Sequence, residues 1–102
     1  MMTGESKAAS AESFEGRAPI HEITRFNSGY LKLSIWVNEV GDNGAIAFSI
    51  RQSVRYRDRH GDYRTAAYAD GRQLLTLSKM YLDADSWCEQ YRAEHFAKRR
   101  DA

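Results

Sequence analysis

Several features that would place this chain of 102 residues in a familiar class are missing from it. Cys88 is its only cysteine, so no disulfide can form within the chain, which favours a reducing compartment. No apolar run is long enough to span a bilayer. The N-terminus also lacks the apolar core that follows a basic segment in a secretory signal. These absences predict a cytoplasmic protein without a membrane segment.

The sequence patterns of common catalytic and metal sites are missing as well. It has no Gly-x-Ser-x-Gly elbow and no phosphate-binding loop ahead of a Lys-Ser or Lys-Thr pair. The three histidines, at positions 21, 60 and 95, fall in three different predicted elements, and with one cysteine they do not form a zinc ligand set. We therefore predict a protein that is not an enzyme and that holds no metal or cofactor.

Charge is nearly balanced over the whole chain, with a formal net charge of +1. No global field therefore attracts polyanions, and many nucleic-acid-binding domains are more basic than this. Locally the balance differs, because six arginines stand against three aspartates between Asn43 and Arg72. A single domain of this size buries a modest share of its surface, so a homodimer is plausible.

The N-terminal segment, residues 1–19, is rich in Ala, Ser, Glu and Gly. Such a composition buries too little apolar surface to offset the entropy of ordering, and it predicts a disordered leader. Residues 20–102 form the remaining single domain.

Two alternating runs, Tyr30 to Asn38 and Ile46 to Arg57, dominate this domain. A period of two places alternate residues on opposite faces of a sheet. One face carries the apolar side chains Leu31, Leu33, Ile35, Val37, Ile46, Phe48, Ile50, Val54 and Tyr56, with Gln52 as an interruption. The other face mixes aromatic rings with cations and small hydroxyls: Tyr30, Lys32, Ser34, Trp36, Ser49, Arg51, Ser53, Arg55 and Arg57.

Turn signals separate the runs. Residues 41–44, Gly-Asp-Asn-Gly, predict a tight hairpin, and residues 58–62 predict a second turn. A weak strand is predicted over 21–26, in which neither side is cleanly apolar, and a third clear strand over 63–69. Together they predict an antiparallel β-meander of three to four strands.

A helical period follows the strands from about Arg72, with Asp70 as the expected N-cap. An apolar stripe recurs at steps of three and four residues and is widened by neighbouring side chains: Leu74, Leu77, Tyr81, Ala84, Cys88 and Tyr91, with Leu75, Met80 and Leu82. We therefore expect an α+β fold in which one long C-terminal amphipathic helix packs on the greasy face of the sheet. Trp87, Met80 and Phe96 extend the apolar surface of the helix. They can form a thick intramolecular core or a helix-mediated homodimer, and we favour the homodimer slightly.

The second sheet face is the candidate functional surface. Aromatic rings that stack bases, beside cations that contact phosphates, are typical of single-stranded nucleic-acid binding. We predict that Tyr30, Trp36 and Tyr63 stack bases, and that five cations hold phosphates: Lys32, Arg51, Arg55, Arg57 and Arg64. The expected partner is single-stranded DNA or RNA.

Other interpretations of the same residues remain open. Trp36 can instead pack against cross-strand neighbours or a second subunit. The arginines can form a solvated face that discourages aggregation, and Arg64 can pair with the nearby aspartates. The alternative function is therefore a protein-interaction or assembly module, a homodimer scaffold with no nucleic-acid ligand.

Two segments resemble a known group of proteins. Residues 29–39, GYLKLSIWVNE, precede a glycine-containing turn, and residues 53–58, SVRYRD, follow it. The combination, with Leu-rich residues 74–79, resembles small uncharacterised bacterial proteins that share a GN(I/L)K-x-x-IW-x-NE and R-x-Y-K-D-x-(D/E)-W pattern. The chain departs from it at Tyr30, where Asn is usual, and at Tyr63, where Trp is usual. The resemblance covers most of residues 25 to 90 and implies a fold rather than an activity.

The order of four strands and a helix is also similar to the positive-cofactor-four (Whirly-type) proteins that bind single-stranded DNA. Those proteins dimerise and grip strands across curved sheets. This resemblance lies in topology and face chemistry, so it implies no particular binding residues.

Overall fold

The computed structural model describes residues 17–40 and 45–101, with the side chains of residues 17–38 and 45–98. Most of the predicted leader and the hairpin residues 41–44 lie outside this described part.

Four antiparallel strands form one sheet in the order β1-β2-β3-β4, which confirms the meander. The strands are β1 His21–Phe26, β2 Tyr30–Val40, β3 Ala45–Arg57 and β4 Tyr63–Ala66. β4 is shorter than the predicted 63–69. Its ladder ends at the Val54–Ala66 pair, and the Gln52 side chain then donates a hydrogen bond to the carbonyl of Ala67.

One helix, α1, follows the sheet over Leu74–Asp101. It packs on the predicted greasy face, mainly over β1 and β2, and the α+β prediction is confirmed. The buried core contains apolar side chains from three strands and one side of the helix: Ile23, Leu31, Leu33, Ile35, Val54, Leu77, Met80, Ala84 and Cys88. No helix in the described ranges is both long and apolar enough to cross a membrane.

The buried stripe of α1 differs from the predicted one. Leu77, Met80, Ala84 and Cys88 are buried, whereas Leu74 and Tyr81 are exposed. The difference arises because one helix covers about two strands of a four-stranded sheet, at a strand spacing of about 4.8 Å. Only half of a wide apolar arc can therefore meet the sheet.

Met80 and Trp87 are two of the residues from which the sequence analysis predicts a dimer. In the structure both side chains face the chain's own sheet. Met80 lies in the core, and the Trp87 ring stacks on His21 with their centroids 4.6 Å apart. Trp87 also meets Tyr91 and the edge of Phe48. Met80 and Trp87 therefore complete the intramolecular core, which is one of the two accounts that the sequence left open, and the homodimer stays a prediction.

Cys88 is confirmed as a small core residue, since its side chain is buried and is not in a disulfide. Burial raises the pKa of its thiol, which keeps the sulfur protonated at neutral pH.

The predicted N-cap, Asp70, begins a 3₁₀ turn at Gly71–Gln73 that leads directly into α1. Its carboxylate accepts a hydrogen bond from the amide of Arg72 at 2.7 Å and also pairs with the Arg72 side chain. In return, the Gln73 side chain accepts a hydrogen bond from the Asp70 amide at 3.0 Å. This reciprocal capping box fixes the start of the helical segment.

Gln73 also ties this segment to the turn between β1 and β2. Its amide nitrogen donates to the carbonyls of Asn27 at 2.9 Å and Ser28 at 3.3 Å. The same turn needs Gly29, whose φ is +150° and whose added Cβ would lie 2.9 Å from the Arg55 carbonyl oxygen. Position 29 therefore has little room for a side chain, and the buried side-chain amide of Gln73 holds the turn against the segment that begins α1.

We expect Gln73→Leu to lower the free energy of unfolding by about 1–3 kcal/mol. The change keeps the side-chain volume similar but removes the hydrogen-bond partner of the Asn27 carbonyl and of the Asp70 amide. Urea denaturation followed by circular dichroism measures the loss. Gln90→Leu is the matched control, since Gln90 is exposed and bonds only to Glu94 among the described residues. Equal stability of the two variants would contradict the assignment.

Candidate nucleic-acid interface

The sheet face opposite α1 carries the aromatic and basic residues, as the alternation predicts. In the register of the ladder, Tyr30 lies opposite Arg55, Lys32 opposite Ser53, and Ser34 opposite Arg51. Because successive side chains of a strand point to opposite faces, these six residues share the face that α1 leaves open. We call this surface the open face.

The open face carries a concave depression with a volume of about 540 Å³. Arg51, Arg55 and Tyr30 line it and are exposed, together with the half-buried Lys32. The ammonium group of Lys32 lies 3.4 Å from the carboxylate of Glu22, so its charge is partly compensated. The ion pairs of the described side chains involve Arg25, Lys32, Arg64 and Arg72, which leaves the guanidinium groups of Arg51 and Arg55 without a carboxylate partner.

Tyr63 closes one side of the concavity from β4. The Arg55 guanidinium carbon lies 4.9 Å from the centroid of its ring, and that of Arg57 lies at 5.7 Å. These cation–π contacts hold two arginines beside an aromatic ring that remains 63% exposed. Arg57 is additionally anchored, because its Nε donates to the Gly61 carbonyl at 3.2 Å. The structure therefore brings Tyr63, Arg55 and Arg57 together as predicted.

Trp36 lies on the open face, as the alternation predicts, but its ring is covered. It is 5% exposed, and its Nε1 donates a hydrogen bond to the carbonyl of Arg17 at 3.0 Å. The Arg17 side chain reaches across to the Asn38 side-chain oxygen at 2.8 Å. In this arrangement the ring is packed against the chain's own residues, so the prediction of Trp36 as an open stacking platform is not supported. Arg17, which the sequence pattern places in the leader, covers it.

Arg64 does not join the open face. It pairs with Tyr56 in the ladder, which places it on the opposite side of β4 from Tyr63. Its Nε donates to the Asp58 carboxylate at 2.9 Å. The prediction that Arg64 contacts phosphates on the same surface as Arg55 is therefore not supported. Arg64 instead pairs with Asp58, which is the alternative given for it in the sequence.

Asp58 organises the turn between β3 and β4. Its carboxylate accepts hydrogen bonds from the amides of His60 at 2.9 Å and Asp62 at 3.0 Å, in addition to Arg64. The Arg64 side chain and then the Asp62 amide hold the pKa of Asp58 below its ordinary value of 3.8. This network fixes the turn beside Tyr63.

We expect Asp58→Asn to lower the free energy of unfolding at neutral pH. A lowered folded pKa means that the carboxylate stabilises the fold above pH 3.8 and that this contribution is lost as the pH falls through the folded value. The difference between the variant and the wild type therefore shrinks in acid, as urea denaturation at several pH values can measure. Asp62→Asn is the control, and a difference that stays constant with pH would contradict the assignment.

Phe26 is a residue of the open face that sequence reasoning missed. It lies opposite Tyr30 in the β1–β2 ladder, and its ring is 81% exposed. Phe26, Tyr30 and Tyr63 line a groove of about 830 Å³, with Arg55 and Arg57, at the end of the sheet where both short turns lie. The sequence contains a signal for this pairing, because Asn27, Ser28 and Gly29 are residue types typical of a tight turn, and a turn over these residues brings Phe26 opposite Tyr30.

No group of three or more His, Cys, Asp or Glu side chains in the described ranges is placed to hold a metal ion. The fold and the site define a small α+β domain with one helix-covered and one open sheet face. Comparison with protein-family models, with curated proteins and with solved structures finds no match for this chain. Both resemblances noted in the sequence therefore stay predictions.

Proposed function

We propose that this chain binds single-stranded nucleic acid on the open face. The observation that carries the proposal is the concave surface on which Arg51 and Arg55, two arginines with no carboxylate partner among the described side chains, lie beside the exposed rings of Tyr30 and Tyr63. Cations that track a phosphate backbone and rings that accept bases are the two components of such sites.

The charge distribution supports a polyanionic ligand. Among the described residues that line this concavity, the cations Arg17, Lys32, Arg51 and Arg55 stand against one acid, Glu22. This local excess exists although the whole chain has a net charge of only +1. A low global charge predicts modest affinity and a short-range attraction, which salt screens.

The rings favour a single strand over a duplex. In a duplex the bases are stacked on one another, whereas exposed tyrosines need the face of an unstacked base. Ring stacking tolerates every base, so we expect little sequence preference.

A fluorescence-anisotropy titration tests the proposal with a labelled deoxythymidine oligonucleotide at two salt concentrations. We expect binding at low salt that weakens as salt rises, and weaker binding of a duplex of the same length. Absence of binding to DNA and RNA oligonucleotides at low salt would rule the function out. Equal affinity for single-stranded and duplex forms would contradict the role of the rings.

A second candidate function is a protein-assembly module, because apolar residues of α1 point away from the sheet. Leu74, Leu75 and Leu82 are exposed on the helix. Ile50 of β3 is also exposed, on the sheet face against which α1 packs. Sedimentation of the protein over a range of concentrations tests this alternative. A dimer that Leu75→Glu and Leu82→Glu dissociate supports it, whereas a monomer at all concentrations contradicts it.

A further inference from the structure

We infer that Phe26, with Tyr30 and Tyr63, forms a base-stacking row at the turn end of the open face, and that unpaired nucleobases are the chemical group it recognises. This inference rests on the proposed function and assigns the bases to a place distinct from that of the phosphates. It also assigns a binding role to Phe26 and transfers the stacking role away from Trp36.

The row follows from the register of the sheet. Phe26 of β1 lies opposite Tyr30 of β2, which lies opposite Arg55 of β3. Tyr63 of β4 lies two pairs further towards the end of the sheet, opposite Arg57. With strands about 4.8 Å apart, the three rings are spread over roughly 14 Å across the sheet. They therefore share one edge of the same surface.

Exposure distinguishes this row from the other aromatic residues. Phe26 and Tyr63 are 81% and 63% exposed, and Tyr30 is 45% exposed, whereas Trp36 is covered. Phe26 has no hydroxyl group, so solvent offers its ring no hydrogen bond in return for exposure. An exposed phenylalanine beside two tyrosines forms an apolar surface that a planar base can cover, which is the ordinary basis of ring stacking.

The row is continuous with the cationic part of the open face. Tyr30, Arg55 and Tyr63 line both the central concavity and the groove at the turn end. A strand whose phosphates contact Arg51 and Arg55 can therefore turn its bases towards Phe26 without leaving the surface. In this arrangement the ring and the base form one interaction, so removing either of them removes the same contribution, and the two losses of affinity should not add.

A double-mutant cycle between protein and ligand tests this arrangement. The probes are a labelled deoxythymidine oligonucleotide and an abasic oligonucleotide of the same length and charge. We expect Phe26→Ala to weaken binding of the first by about 5- to 150-fold and to leave binding of the second unchanged. Phe26→Trp retains a stacking surface, so we expect it to retain affinity.

Leu75→Ala is the control, because Leu75 is also an exposed apolar residue but lies on α1. Circular dichroism establishes that each variant is folded. Equal losses of affinity for both oligonucleotides, or no loss for either, would overturn the stacking row while leaving phosphate binding intact. Failure of the wild type to bind either oligonucleotide would instead remove the proposed function itself.

Discussion

An Arg51→Glu, Arg55→Glu double variant is expected to bind a single-stranded oligonucleotide about 100-fold more weakly than the wild type, or weaker still. Each guanidinium is exposed on the open face and has no carboxylate partner among the described residues. A hydrogen bond to a charged group contributes about 1.5–3 kcal/mol, so losing two such contacts accounts for this change. Fluorescence anisotropy at low salt measures the two affinities.

The salt dependence gives a second, independent readout of the same variant. Each phosphate contact to a single strand contributes about 0.7 to the slope of log affinity against log salt. Loss of both arginines is therefore expected to reduce the slope by about 1.4. A weaker affinity with an unchanged slope would indicate that the substitutions disturb the fold rather than phosphate contacts.

The matched control is Lys79→Glu, Lys98→Glu. Both lysines are exposed on α1, and the double substitution changes the net charge by the same amount. We expect it to leave the affinity nearly unchanged, because the open face lies on the other side of the sheet. If both double variants lose affinity equally, the attraction is a property of the whole chain and the assignment to Arg51 and Arg55 is wrong.

The residues on each face of the sheet were predictable from the sequence because one face is buried. Leu31, Leu33 and Ile35 alternate with polar residues in β2, and a shift by one residue would expose all of them. The same constraint predicts that Tyr30 and Lys32 lie on the open face. Hydrophobic burial therefore determines a surface that is itself not hydrophobic.

Side-chain partners across the sequence were not predictable in the same way. Nothing in the pattern of β2 indicates that the Arg17 carbonyl accepts the hydrogen bond of Trp36 from 19 positions away. The position of Arg64 was predictable in principle, since adjacent residues of a strand point to opposite faces, so that Tyr63 and Arg64 cannot share one. The prediction that both line the open face did not apply that rule.

The helix shows why an apolar stripe alone does not define a core. Leu74 and Tyr81 belong to the predicted stripe, yet both are exposed, because α1 lies over β1 and β2. The Tyr81 hydroxyl instead donates to the Gln52 side chain on β3 at 2.7 Å. Gln52, which interrupts the apolar pattern of that strand, thus has a polar partner at the margin of the helix. The position of a helix across a sheet depends on such contacts as well as on periodicity.

Trp36→Ala is expected to lower the free energy of unfolding by about 3 kcal/mol or more, the usual cost of removing a large buried aromatic side chain. Trp36 is almost fully covered, and the change also leaves the Arg17 carbonyl without the indole donor. Trp36→Phe retains most of the apolar contact and loses the donor, so we expect a smaller loss. Urea denaturation followed by circular dichroism measures both. Tyr68→Ala is the control, because Tyr68 is an exposed aromatic residue.

The Trp36 variants also distinguish the three roles that the sequence leaves open. A packing role predicts lost stability, with oligonucleotide affinity and sedimentation unchanged wherever the variant is still folded. A stacking role predicts the reverse, namely unchanged stability and weaker binding. An assembly role predicts a change in sedimentation. Because the ring contacts residues of its own chain, the first pattern is expected, and the binding of bases then depends on Phe26, Tyr30 and Tyr63.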